Sequence, residues 1–318
     1  MRESRLVSHG IEHRVGYGIA LKVGAVLSFT IMGALIKATG SRVPTGEVVF
    51  FRSFFAVPVL VGYLAYIGQL HEGVRTDRFL GHMWRGVIGT TAMGLMFTAL
   101  SLLPLPEVTA LQYATPLFIT ILAAIMLGER VRLFRISAVL LGLIGVTVVL
   151  YPRLTSLGSE IGHLEAIGAL VMLGSTLAAA LAQVQVRNLV ATERPATVAL
   201  YFSFSSTLLS LLTLPFGWVV PGVQDATLLI LCGLVGGAGQ GMLSTSYRYA
   251  PASVVAPFDY ASIFFATAIG MVFFDEVPTS TTLLGAAIVI AAGILIIWRE
   301  RQLGLNRSKS KGFKQPPA

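Results

Sequence analysis

The chain has 318 residues, of which 55% are apolar and only 12% charged, and its mean hydropathy is +0.79. Soluble domains are about 45–50% apolar and about 25% charged, so this composition excludes an ordinary soluble protein and indicates an integral membrane protein. The net charge of +8 requires no nucleic-acid partner, because the basic tail Arg299–Lys314 suits lipid phosphates beside a membrane span. The single cysteine, Cys232, excludes a disulfide framework and is expected as a small packing residue.

Ten apolar segments are long enough to cross a membrane as α-helices, which need about 20 mainly apolar residues each. Their length and uniform apolarity exclude the alternating pattern of an outer-membrane barrel. Pro104 and Pro106 predict a tight turn between the third and fourth spans. The predicted spans are residues 15–37, 45–68, 84–103, 106–128, 134–151, 164–186, 196–219, 226–247, 252–274 and 279–298. We therefore predict an all-α polytopic membrane protein with ten transmembrane helices.

An internal repeat relates the two halves of the chain. Residues 104–129 match residues 251–276 at a shift of 147 positions, and after one extra residue the match continues at a shift of 148. The identical pairs are Pro104 and Pro251, Val108 and Val255, Tyr113 and Tyr260, Ala114 and Ala261, Phe118 and Phe265, Thr120 and Thr267, and Glu129 and Glu276. Ten spans divide into two repeats of five. An odd number of spans in each repeat predicts that the second repeat is inverted in the membrane, as in many secondary transporters.

The predicted domain organisation follows from this repeat. It comprises a cytoplasmic N-terminal segment of residues 1–14, a first repeat of residues 15–151, a periplasmic joint of residues 152–163, a second repeat of residues 164–298 and a basic cytoplasmic tail of residues 299–318. Its orientation rests on the connections, because cytoplasmic loops hold the excess of Lys and Arg. One side holds 18 of the 23 basic residues, with Arg85 counted among them, and the other side holds three. Both termini are therefore predicted to be cytoplasmic.

Ionisable side chains within spans are candidate site residues, because each costs roughly 2.5–3.5 kcal/mol unless it has a partner, water or a function. Asp259 lies about 10 Å into the ninth span by helix rise, and its repeat counterpart is Gln112. We expect both near the midplane, either as substrate-binding groups or as a hydrogen-bonded pair that fixes helix packing. Arg52, deep in the second span, is expected either to bind an anion or another substrate group or to form a structural ion pair.

Two tyrosines at identical repeat positions, Tyr113 and Tyr260, are also predicted to bind substrate, because they combine flat rings with hydroxyls; packing contacts are the alternative. Glu129 and Glu276 end equivalent helices at opposite membrane faces. They are predicted to act in gating or as helix-end contacts. Lys22 is expected to extend its ammonium group along the alkyl stem to the cytoplasmic interface.

Motifs for chemistry on a substrate are not found in the sequence. All five histidines, His9, His13, His71, His82 and His163, fall in predicted tails or loops, so no span is expected to hold a histidine for metal binding or nucleophilic catalysis. Neither an HExxH motif nor a Walker glycine loop occurs. We therefore predict no catalytic residue, no metal site and no cofactor. The inverted repeat favours a carrier over a channel.

Two long stretches carry a resemblance to a known family. The first repeat contains PEVTALQYATPLFITILAAIMLGERVRLFRISAVLLGLIGVTVVL and the second contains APFDYASIFFATAIGMVFFDEVPTSTTLLGAAIVIAAGILI. They resemble the EamA-type ten-helix transporters of the drug/metabolite transporter superfamily. The matching features are Pro116, the LGE triplet ending at Glu129, Gly145, Glu276, Gly285, Gly293, and Arg52 after Pro44. The departures are Ser137 in place of a glycine opposite Gly285, and FDE at residues 274–276 in place of LGE.

This resemblance implies a carrier in the bacterial inner membrane with a central cavity that opens alternately to either side. The whole chain resembles members assigned to vitamin or cofactor uptake, so uptake of riboflavin or a similar flat compound ranks first. Export of amino acids, their derivatives or drugs is the alternative, and a channel or an intramembrane enzyme ranks lower. The expected partners are the small-molecule substrate and membrane lipids. Monomer and homodimer, and proton coupling and facilitated diffusion, remain open.

Overall fold

A computed structural model describes residues 2–66, 68, 70–127, 133–155, 160–189, 193–250 and 252–312. Over these residues the chain forms thirteen α-helices. They are α1 (Arg2–Thr39), α2 (Thr45–Tyr66), α3 (Leu70–Val74), α4 (Phe79–Leu102), α5 (Leu105–Gln112), α6 (Thr115–Leu127), α7 (Leu133–Thr155), α8 (Glu160–Leu189), α9 (Pro195–Leu211), α10 (Val223–Tyr249), α11 (Ala252–Val255), α12 (Ala261–Phe273) and α13 (Ser280–Gly312). Short 3-10 helices cover Gly40–Arg42, Leu214–Phe216 and Ala256–Tyr260.

Backbone polarity explains why the fold is helical, because in hydrocarbon each N–H and C=O must be satisfied within the chain. Seven of the described helical segments, 18 to 25 residues long, are apolar enough to cross a membrane. The shorter apolar helices Ile136–Pro152 and Ala196–Leu211, together with the pair α5 and α6, account for the other predicted spans. The predicted all-α fold with ten transmembrane helices is confirmed. So is the turn at Pro104 and Pro106, which separates α4 from α5.

The third span begins earlier than predicted, at Phe79. The expectation that every histidine lies in a tail or loop is therefore wrong for His82, which is buried in α4 and stacks on Tyr201 with ring centroids 4.7 Å apart. Arg85 also lies within α4, not in a cytoplasmic connection. The prediction failed because hydropathy treats such polar residues as solvated. Here α4 begins before them, and it packs against α8 and α9.

The fourth span of each repeat is discontinuous. In the first repeat the break lies at Tyr113 and Ala114, between α5 and α6. In the second repeat a 3-10 segment, Ala256–Tyr260, separates α11 from α12. Tyr113 and Tyr260 are repeat counterparts, so both helices are interrupted at the same place. Broken helices of this kind form the substrate and ion sites of many secondary transporters.

Proline and hydroxyl side chains account for the two breaks. Pro116 has no N–H, so it leaves the Gln112 carbonyl without its helical donor, and the Thr115 hydroxyl donates to that carbonyl at 2.7 Å. In the second repeat the Ser262 hydroxyl donates to the Asp259 carbonyl, also at 2.7 Å. Both of these hydrogen bonds join equivalent repeat positions, so the repeat extends to the way each break satisfies its backbone.

The last helices of the two repeats, α7 and α13, cross in close contact through glycines. A Cβ on Gly145 would lie 2.9 Å from the carbonyl of Gly285, and one on Gly285 would lie 2.7 Å from the carbonyl of Gly145. Small residues permit this close backbone approach, which is the usual way helices pack in lipid. The contact holds the two repeats together beside their broken helices.

A left-handed residue ends α12. Asp275 has φ 55°, and the N–H groups of Phe274 and Glu276 both donate to the carbonyl of Gly270. This position normally favours glycine, because other L-residues meet a steric penalty there. It is the middle residue of FDE, and its counterpart in the LGE triplet of the first repeat is Gly128. Aspartate is tolerated better than most residues because its short polar side chain suits this conformation.

We predict that Asp275→Gly keeps or raises the thermal stability of the protein, whereas Asp275→Val lowers the free energy of unfolding by about 1–2 kcal/mol. The heated protein can be followed through the exposure of its single cysteine, the buried Cys232, to a thiol-reactive dye. Equal melting temperatures for the valine and glycine variants would contradict a strained backbone at this position.

Candidate functional site

The two helix breaks meet through Tyr113 and Tyr260. Their rings lie edge to face, with centroids 5.1 Å apart and an interplanar angle of 73°. Tyr113 is buried, and its hydroxyl donates to the Tyr260 carbonyl at 3.1 Å and lies 2.7 Å from Oγ of Ser262. The same hydroxyl accepts the N–H of Ile263 at 2.8 Å. Tyr113 therefore binds the broken backbone of the opposite repeat.

The Ile263 N–H reveals an asymmetry between the repeats. In a continuous helix this N–H would bond to the carbonyl of Asp259, but the break leaves it for the Tyr113 hydroxyl. The repeat counterpart of Ile263 is Pro116, which has no N–H to donate. The Tyr260 hydroxyl lacks an equivalent backbone donor and packs against Gly293 instead. The two tyrosines thus hold matching positions but do different work.

An ion pair joins α1 to the break in the second repeat. Nζ of Lys22 lies 2.7 Å from a carboxylate oxygen of Asp259. The Lys22 side chain is buried, whereas 53% of the Asp259 side chain is exposed. The expectation that Lys22 extends to the cytoplasmic interface is wrong, because the nearby carboxylate is a better partner for its charge within the bilayer. Asp259 has exposed surface left over to meet a polar solute.

Gln112 and Asp259 make different contacts, although they are repeat counterparts. Gln112 is exposed and donates a weak hydrogen bond to Sδ of Met96 at 3.8 Å. Asp259 accepts from Lys22. Neither contact joins the two predicted site residues to each other, so the expected internally bonded pair is replaced by two separate contacts.

Arg52 is buried in α2, and its guanidinium lies 5.8 Å from the centroid of the Phe202 ring in α9. Arg85 of α4 lies on the same ring at 3.6 Å. The structural ion pair that was one alternative for Arg52 is not formed among the described residues, and Arg85 forms none there either. Glu47, the acidic residue nearest to Arg52 in sequence, accepts the backbone N–H of Val219 at 3.1 Å.

Glu276 lies at the predicted outer end of the bundle, in an ionic contact between the repeats. One of its oxygens lies 2.7 Å from Nζ of Lys37, and the other accepts the N–H of Leu105 at 2.8 Å. Lys37 also donates to the Leu103 carbonyl at 2.6 Å. This contact ties α1 to the start of α5 and to the segment that follows α12. The gating or helix-end role of Glu276 stays a prediction. Glu129, its predicted counterpart, lies outside the described residues.

A second ion pair at this end is more exposed. Arg42 donates to Asp225 at 2.8 Å, and this hydrogen bond raises the pKa of the Arg42 side chain.

The sequence did not predict that Lys22, Lys37 and Arg85 belong to polar clusters. A signal existed for Lys22, because Asp259 within a span needs a cation and Lys22 is the lysine placed inside a predicted span.

The sequence was compared with the profiles of known protein families. The profile of the EamA-like transporter family matches residues 16–151 and, a second time, residues 166–298, so each repeat carries one full match. The chain belongs to the EamA-like transporter family. This EamA-like transporter is therefore a multi-span membrane protein that handles small molecules, in agreement with the resemblance to drug/metabolite transporters.

Characterised relatives extend over nearly the whole transporter. The pseudopaline exporter of Pseudomonas aeruginosa is 30% identical over 282 residues, which cover 88% of this chain and 95% of that protein. The S-adenosylmethionine uptake transporter of Rickettsia prowazekii is 26% identical over 294 residues, which cover 92% and 97%. A solved crystal structure at 20% identity superposes with a TM-score of 0.62, over 90% of this chain and 98% of that one, and shows the shared fold. By their names, one relative exports and another imports.

These relatives are transporters and not enzymes, as expected for this EamA-like transporter. Among the described residues, no cluster of three or more His, Cys, Asp or Glu side chains has the spacing to hold a metal ion. The polar features of the interior are instead the tyrosine contact at the helix breaks, the Lys22–Asp259 pair and the two arginines on Phe202.

We predict that Tyr113→Phe destabilises the transporter by about 1–3 kcal/mol, because it leaves the Ile263 N–H without an acceptor. Tyr260→Phe is the matched control and is expected to change stability less. Ile263→Pro, placed in the Tyr113→Phe background, copies Pro116 and removes the unsatisfied donor, so it is expected to recover part of the loss. The melting temperatures of the four proteins decide the matter, and equal losses from the two phenylalanine variants would refute the assigned asymmetry.

The Lys37–Glu276 contact gives a further prediction. Glu276→Gln keeps an acceptor for the Leu105 N–H but removes the charge that Lys37 faces, so stability is expected to fall by about 1.5–3 kcal/mol. Adding Lys37→Met is expected to recover part of this loss. Breaking the more exposed Arg42–Asp225 pair by Asp225→Asn should lower the melting temperature less. A larger effect from the exposed pair would contradict this ranking.

Proposed function

We propose that the protein is a secondary transporter of an amino-acid-derived metabolite and works by alternating access, with its substrate site at the two helix breaks. The observation that carries the proposal is the meeting of these breaks at Tyr113 and Tyr260, beside the Lys22–Asp259 pair. Discontinuous helices at a repeat interface place polar groups and fixed charges near the membrane midplane, where a solute can bind.

Asp259 and Lys22 provide charge for such a solute. Asp259 is half exposed at the break, so a substrate ammonium group can approach its carboxylate while buried Lys22 holds that carboxylate in place. Gln112, exposed at the equivalent break, adds an amide that can donate or accept hydrogen bonds. This combination suits a polar solute with a cationic amine.

Two observations support an amino-acid-derived substrate: the names of the relatives and the contacts of Tyr113. One relative is named for S-adenosylmethionine, a derivative of methionine, and another for pseudopaline. Riboflavin or a similar flat compound, ranked first from the sequence, depends on tyrosines free to stack on it. Tyr113 is buried, and its hydroxyl already bonds to the opposite repeat, so we rank riboflavin second. Import and export remain equal candidates.

For topology we propose an inner-membrane protein with both termini in the cytoplasm. The position of Arg85 inside α4 removes one cation from the cytoplasmic count of 18, and the imbalance against three on the other side persists.

Purified protein in liposomes tests the transport proposal. Vesicles loaded with unlabelled S-adenosylmethionine, methionine or riboflavin are offered the same labelled solute outside, and counterflow is recorded. We expect saturable counterflow of at least one amino-acid-derived solute, without chemical change. Uptake that does not saturate at millimolar solute would indicate a channel and would refute alternating access.

A charge-paired set of variants separates binding from folding at Asp259. Asp259→Asn leaves Lys22 buried beside a neutral amide, so it should lower both counterflow and thermal stability. The double variant Lys22→Gln, Asp259→Asn removes both charges, so it should regain stability without regaining counterflow. Normal counterflow by the stable double variant would exclude the pair from the substrate site.

A further inference from the structure

Among the described residues, the buried side-chain atoms without a hydrogen-bond partner all lie on two neighbouring helices. Among the described residues, seven buried side-chain nitrogen and oxygen atoms have no hydrogen-bond partner, and they belong to only four residues: Arg52, Ser53, His82 and Arg85. All four lie on α2 and α4, which pack against each other and against α9. Native proteins satisfy the great majority of their buried polar groups, so this concentration requires an explanation. For His82 part of that explanation is Glu193, whose carboxylate lies 3.9 Å from Nε2.

The two arginines form the centre of this cluster. Their guanidinium groups lie 5.8 and 3.6 Å from the centroid of the same Phe202 ring, and Nε and Nη1 of both are buried and unpartnered. A glycine in α4 lies beside these side chains. A Cβ on Gly89 would lie 2.7 Å from Nη1 of Arg85 and 2.8 Å from the Phe202 ring, so glycine at this position leaves room for the two side chains as they lie here.

Structural roles do not account for two cations side by side in a span. The contact with the aromatic ring offsets only part of the cost of inserting each cation into the bilayer, and the mutual repulsion of the two cations adds to that cost. In the described part of the chain neither arginine forms an ion pair with an acidic residue. The charges that Lys22 and Lys37 carry, by contrast, are matched by Asp259 and Glu276.

We propose that Arg52 and Arg85, held on Phe202, bind the carboxylate of the transported solute. The planar fork of a guanidinium matches a carboxylate, and two forks together neutralise it within the low-dielectric interior. This inference rests on the proposed transport function, for which it names a substrate class: amino-acid derivatives that keep a free carboxylate. Phosphate has the same fork-matching chemistry, so the test includes it as a separate arm.

The test measures the melting temperature of the purified full-length protein at constant ionic strength. The probes are succinate, L-methionine and inorganic phosphate, with succinamide and methioninol as controls that lack the carboxylate. We expect the carboxylates to raise the melting temperature in a saturable way, because a ligand of the folded state stabilises it by mass action. No response to any carboxylate, or an equal response to succinamide, would overturn the proposal. A response to phosphate alone would assign the site to a phosphate-bearing solute and would overturn the carboxylate assignment.

Arg52→Met and Arg85→Met identify the residues responsible. Each is expected to weaken carboxylate binding at least tenfold and, because it removes an unpaired buried charge, to raise the melting temperature of the ligand-free protein. Arg42→Met is the matched control, since its partner Asp225 already satisfies it at the exposed end of the bundle, and it should leave carboxylate binding unchanged. Arginine variants that fail to fold, or that melt at lower temperature, would assign both residues a structural role and would overturn the proposal.

Transport assays keep this inference separate from the function on which it rests. Carboxylate-dependent stabilisation without counterflow would contradict the transport proposal and leave the anion site standing. Counterflow that persists in Arg52→Met and Arg85→Met with an unchanged KM for L-methionine would have the opposite meaning. It would remove the arginines from the substrate path while the transporter itself remained.

Discussion

Interrupting a helix inside a bilayer exposes backbone groups that lipid cannot satisfy, and this constraint governs the centre of the protein. The first repeat meets it by removing a donor at Pro116 and by turning the Thr115 hydroxyl to the carbonyl left free. The second repeat keeps its donor, the Ile263 N–H, and receives the Tyr113 hydroxyl from across the repeat interface. The second break therefore depends on contact between the repeats, which couples the proposed site to the association of the two halves.

Buried charges in the interior likewise need partners from elsewhere in the protein. Lys22 and Lys37 come from one helix, α1, and each meets an acidic residue of the second repeat. Through Lys22, α1 contacts the break in the second repeat. Through Lys37, near its C-terminal end, it contacts the connection that follows α12. The arginines on Phe202 depart from the pattern, because the described chain supplies no acid for them. A protein that carries solutes has a natural source for the missing charge in the solute.

Much of this architecture could be predicted from the sequence. The ten spans, the turn at Pro104 and the repeat itself follow from hydropathy, proline and the matched residues, which are local or periodic signals. The contacts of the predicted site residues could not be obtained in this way. Tyr113 meets Ile263 and Lys22 meets Asp259 across long separations in the chain, and no repeat pattern encodes which partner a side chain chooses. Arg85 was missed because a window of hydropathy treats a charged residue near a span end as solvent-exposed.

The proline at position 116 has a consequence for the transport cycle. In the proposed alternating-access cycle, each half of the inverted repeat would take the shape of its counterpart, so that the site opens to one side and then to the other. Here the exchange is unequal, since Tyr260 in the role of Tyr113 would face an imide nitrogen with nothing to donate. In the proposed cycle, the two end states would therefore differ in free energy before any solute binds. The N–H that Pro116 lacks would thus give the resting protein a preference for one orientation.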